Sequence, residues 1–151
     1  MRASMLMISI LLPACAAPVF GAEPLPEPTL HTLQTELVAS LKELLACRMA
    51  QWESGKISPD EALPAAKLLR DAELDLAAKP AERVAAHLAY FALAVKADEE
   101  AVGRFEAGSM SPVDLHAFRA ARIRAEIDLR KAGGKPPRGT KPAAKPKPPA
   151  R

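Results

Sequence analysis

One stretch of this chain occurs twice. Residues 52–76, WESGKISPDEALPAAKLLRDAELDL, return 53 positions later, without a gap, as FEAGSMSPVDLHAFRAARIRAEIDL at residues 105–129. Glu53, Gly55, Ser58, Pro59, Ala72, Glu73, Asp75 and Leu76 recur as Glu106, Gly108, Ser111, Pro112, Ala125, Glu126, Asp128 and Leu129. A repeat of this length sets the architecture before any single residue is weighed.

Each copy places a helix stop directly before a helix start. Gly55 and Gly108 can take the left-handed backbone that closes a helix, at little steric cost. Ser58-Pro59 and Ser111-Pro112 follow. The serine oxygen can accept a first-turn amide, and proline at the first helical position gives up an N–H that had no partner. Glu61 completes a capping box with Ser58, and Asp114 is its weaker counterpart after Ser111. A short loop between two long helices lays them side by side and antiparallel. The expected fold is therefore all-α: two repeated antiparallel helical hairpins, four long helices in all, arranged as a bundle or as a coiled-coil-like rod.

Residues 1–21 read as a secretory signal: one basic residue, Arg2, the apolar run MLMISILL, then small residues. The run is far short of the roughly 20 residues a membrane-spanning helix needs. Leu12-Pro13-Ala14-Cys15 resembles a lipobox and offers an alternative, lipidation at Cys15. A proline-rich linker at 22–29 leads to a helical domain at 30–132, with repeat one at about 35–78 and repeat two at about 84–131. Helices are expected at 30–54, 59–78, 80–107 and 112–132, with a kink at Pro64 and a stop at Gly133-Gly134. Leu33, Leu37, Leu41, Leu44 and Leu45 give the first helix an apolar stripe. Residues 133–151 contain no apolar residue larger than alanine and read as a disordered Lys/Pro tail. The chain carries +3 overall; six basic and no acidic residues fall in the tail, so residues 1–134 sum to −3.

The third helix carries Val84, Leu88, Phe91, Val95, Asp98, Val102 and Phe105 at alternating spacings of four and three, the rhythm of a coiled-coil seam. The fourth answers with Leu115, Phe118, Arg122, Ala125 and Leu129. Folding this hairpin about residue 110 sets Phe105 against Leu115, Val102 against Phe118, Val95 against Ala125 and Phe91 against Leu129. Asp98 then faces Arg122 as a structural ion pair where the first repeat has Leu45 and Leu69.

No catalytic constellation is visible. His31, His87 and His116 stand in no metal-ligand spacing, and the glycines are helix ends rather than a phosphate loop. No catalytic, cofactor-binding or metal-ligating residue is assigned, and no cofactor is expected. Cys47 is the one cysteine that remains after ordinary signal cleavage, and its repeat equivalent is Glu100. The tail could hold an anionic envelope polymer or an acidic protein by charge. It lacks the interleaved aromatics that stack bases, so nucleic acid is not the expected partner.

At the repeated stretch, RFEAGSMSPVDLHAFRAARIRAEIDL is similar to the helical repeat of TolC-like outer-membrane efflux proteins. The chain resembles more closely exported bacterial proteins that carry the same doubled hairpin with an AERVAAH junction, here at residues 81–87. The resemblance spans about residues 35–130 and implies a hairpin shape in an envelope setting. The expected function is non-enzymatic: an exported interaction or scaffold protein of the periplasm or cell envelope, meeting protein partners, including further copies of itself, through helical faces. The alternative is an accessory component that docks on efflux coiled coils. A third reading is a small metal-binding or enzymatic helical protein using His87 or His116.

Overall fold

The computed structural model describes residues 29–137. It consists of α1 (Leu30–Glu53), α2 (Pro59–Leu76), α3 (Pro80–Glu106) and α4 (Pro112–Lys131), with no strand among the described residues. The predicted signal with Cys15, the linker up to residue 28 and the tail from residue 138 lie outside the described residues.

The helix ends follow the local chemistry. Gly55, Gly108 and Gly133 have φ of 71°, 73° and 86°. Each closes its helix with the same pair of bonds. Gly55 N–H donates to Trp52 O at 2.8 Å and Lys56 N–H to Gln51 O at 2.9 Å; Gly108 and Ser109 repeat this on Phe105 and Arg104. These bonds satisfy carbonyls that a helix end otherwise leaves open. At the start of α4, Ser111 Oγ accepts the Asp114 N–H at 3.2 Å. At the start of α2, Glu61 reaches back to the Ser58 N–H at 3.5 Å, while the Ser58 hydroxyl donates to Asp60. Glu82 accepts the Ala78 and Lys79 amides at 3.0 and 3.1 Å and so opens α3. The α2 helix continues through Pro64 to Leu76.

Helices adjacent in sequence are adjacent in space: α1 lies on α2, α2 on α3, and α3 on α4. Both hairpin turns sit at one end. There a single core draws on all four helices, with Trp52, Ala62, Ala97, Ala101, Leu115 and Phe118 buried together. A second cluster, Phe91, Ala94, Ala125 and Leu129, belongs to α3 and α4 alone. The α3 helix therefore has two inner faces. The seam residues Phe91 and Asp98 are buried, as is an alanine ridge made by Ala86, Ala94, Ala97 and Ala101. Small side chains let helices approach closely, which is how α3 can hold a neighbour on each side.

The α1 stripe lies mostly outside the core. Only Val38 and Trp52 of α1 are buried, while Leu33, Leu37 and Leu44 are exposed. The reason is angular: α2 covers the Val38–Leu45–Trp52 side of α1, and most of the leucines fall on the adjoining side. At the other boundary the fold runs slightly past α4. Gly134 lies against Leu129 and Val84, so close that a Cβ there would meet the Leu129 side chain.

Candidate functional site

Both α2 and α4 lean on α3 and leave a groove between them at the turn end, with a volume of about 680 Å³. Its walls come from the first halves of the two helices, which the Ser-Pro starts place level with one another. Leu63, Pro64, Met110 and Phe118 provide apolar surface. Asp60, Lys67, Arg104 and Asp114 bring charges of both signs around it. Tyr90 reaches in from α3.

Behind Tyr90 a polar cluster joins three helices. The Arg70 guanidinium lies 4.6 Å from the centre of the Tyr90 ring, an arrangement in which the cation meets the negative ring face. The same guanidinium pairs with Asp71 at 2.6 Å and with Asp128 of α4 at 3.7 Å. Burial pushes the Tyr90 phenol above its ordinary value of 10.0, so it stays protonated at neutral pH, a hydrogen-bond donor rather than a nucleophile. Burial, aided by the nearby Arg70 charge, lowers His87 below 6.5 and keeps it neutral. His87 Nδ1 is buried without a hydrogen-bond partner. This cluster was missed in the sequence reading, although a signal for it exists. Folding the α2–α3 junction about residue 78 sets Arg70 level with residues 86–87.

The structure brings Asp98 and Arg122 together. Arg122 Nη1 donates to Asp98 Oδ2 at 3.0 Å, with Asp98 1% and Arg122 7% exposed. The other carboxylate oxygen, Oδ1, is buried with no hydrogen-bond partner. Gly55, Ser58 and Pro59, and Gly108, Ser111 and Pro112, form the two turns; Ser58 and Ser111 also line the groove. His116 is exposed on α4 and is not gathered with His87, and no cluster of metal-ligating side chains occurs among the described residues. Cys47 is a free, exposed thiol on α1. Trp52 ties α1 to α3: its indole N–H donates to Glu100, and Lys96 lies 4.9 Å from its ring while pairing with Glu53 at 2.9 Å.

No helix among the described residues is long and apolar enough to cross a membrane. Comparison with known proteins finds no matching family model, no similar curated protein and no similar solved structure.

Proposed function

We propose that this chain is a non-enzymatic interaction module of the bacterial cell envelope, exported by its leader, which receives a segment of a partner protein in the α2–α4 groove. The observation that carries this reading is the groove itself: an apolar floor bordered by two carboxylates and two cations. Sites that bind polypeptide combine apolar pockets with a few placed polar groups. A rim of mixed sign suits a polypeptide better than a polymer of one charge, so the basic tail acts as an accessory contact.

The test is capture of partners from the envelope with the full-length chain, beside Ala117→Arg and a version ending at residue 137. Ala117 is exposed and lines the groove, so an arginine there obstructs the groove and leaves the core untouched. Partners lost with Ala117→Arg, at unchanged melting temperature, support the groove. Partners that persist with Ala117→Arg but vanish with the tail make the tail the working part. An efflux duct protein among groove-dependent partners would define the role as an accessory on efflux coiled coils.

A further inference from the structure

The seven residues Leu30, Leu33, Leu37, Ser40, Leu44, Cys47 and Gln51 are all exposed on α1 and step alternately by three and four. The leucines are 72%, 48%, 51% and 42% exposed in order along the helix. That spacing is the seam of a two-helix coiled coil, in which side chains of one helix enter holes on the other. Among the described residues no other helix covers it. At about 100° per residue, this stripe adjoins the Val38–Leu45–Trp52 side that rests on α2, so the apolar arc of α1 extends past the side that the described helices cover.

We infer that a second copy of this chain covers the stripe, α1 against α1 and parallel. Charge complementarity selects both the partner and the direction. With the leucines in the seam, Glu36 and Glu43 flank one side and Arg48 the other. In a parallel pair the flanking residue of one helix meets the one five positions later on its partner, which sets Glu43 of each copy beside Arg48 of the other. In an antiparallel pair the glutamate sides face one another, Glu36 against Glu43, and repel. The parallel pairing also brings the two Cys47 side chains to the same level. No α1 residue lines the α2–α4 groove, so the dimer leaves the groove open.

The full-length chain is measured by sedimentation equilibrium beside Leu37→Glu and Leu44→Glu. Both residues are exposed, so helix content and monomer melting should not change. The dimer weakens about a hundredfold or more in each variant, since each removes an apolar anchor from both copies. Glu43→Lys tests direction: it weakens a parallel dimer about tenfold and strengthens an antiparallel one. With the chain taken from residue 22, where Cys47 is the one thiol, a short bismaleimide links two copies into a covalent dimer and fails with Cys47→Ser. A wild type that sediments as a monomer, a dimer indifferent to Leu37→Glu, or one strengthened by Glu43→Lys overturns the inference.

Discussion

The two hairpins share their ends and differ in their seams. Gly55 and Gly108 have nearly the same φ and make the same closing bonds. Between the ends, the second hairpin turns large side chains inward: Phe91, Leu115, Phe118 and Leu129 are buried. The equivalent positions in the first hairpin are Val38, Ala62, Ala65 and Leu76, and Leu30, Leu33, Leu37 and Leu44 of α1 face outward. Copies of one unit have thus taken separate tasks. The second hairpin supplies most of the core, and the first supplies Trp52 to that core and leaves an apolar edge outside. A turn is specified by a few local residues and tolerates little change, whereas a seam can be rewritten wherever a new neighbour covers it.

The sharpest break between the copies is the Asp98–Arg122 pair, which stands where the first hairpin has Leu45 and Leu69. Arg122→Leu alone strands a buried carboxylate and should cost about 3–5 kcal/mol in urea unfolding. Adding Asp98→Leu makes the second hairpin resemble the first, and stability should return to the wild-type value or above it, because desolvation offsets much of a buried pair's attraction. If the single variant unfolds like wild type, the pair is not buried in solution.

A smaller contrast should separate Leu129 from its counterpart Leu76. Leu129 is fully buried, and Leu129→Ala should cost about 2–5 kcal/mol. Leu76 is half-buried, and Leu76→Ala should cost roughly half as much, about 1–2 kcal/mol. Equal losses would mean that the first seam is as tightly closed as the second.

The smallest effect concerns His87, whose counterpart is Gln34. Its folded pKa is lowered below 6.5, so the unfolded chain takes up the proton first. Above 6.5 the residue contributes nothing to pH dependence. As pH falls below 6.5 the folded state loses ground, until His87 protonates in the fold as well. His87→Gln should therefore flatten the melting-temperature decline in that window and leave neutral pH unchanged. An equally steep decline in the variant would place the His87 ring in solvent.

The helix ends were legible from sequence because glycine, serine and proline act on backbone within a few residues of themselves. The Asp98–Arg122 contact was legible for a related reason: a short turn fixes register, and register decides which side chains meet. What the sequence did not disclose was what covers each face. The leucines of α1 show a periodic apolar stripe, but periodicity is the same for a face against a core and a face left outside. The alanine ridge of α3 escaped notice because alanine occurs on every side of these helices. The Arg70–Tyr90–Asp128 cluster spans three helices, and its register runs through the α2–α3 junction, which lacks the repeated turn that made the hairpins obvious.

The division of labour between the hairpins is tested most directly by residue-resolved hydrogen exchange at two protein concentrations. The α3 and α4 amides that flank Phe91, Leu115 and Leu129 should be the slowest at both. The α1 amides around Leu37 and Leu44 should slow markedly as concentration rises, because a second copy covers them. If α1 exchanges at the same rate at both concentrations, or is already as protected as α3 when dilute, the first hairpin is no docking edge and the contrast between the two copies is only one of packing.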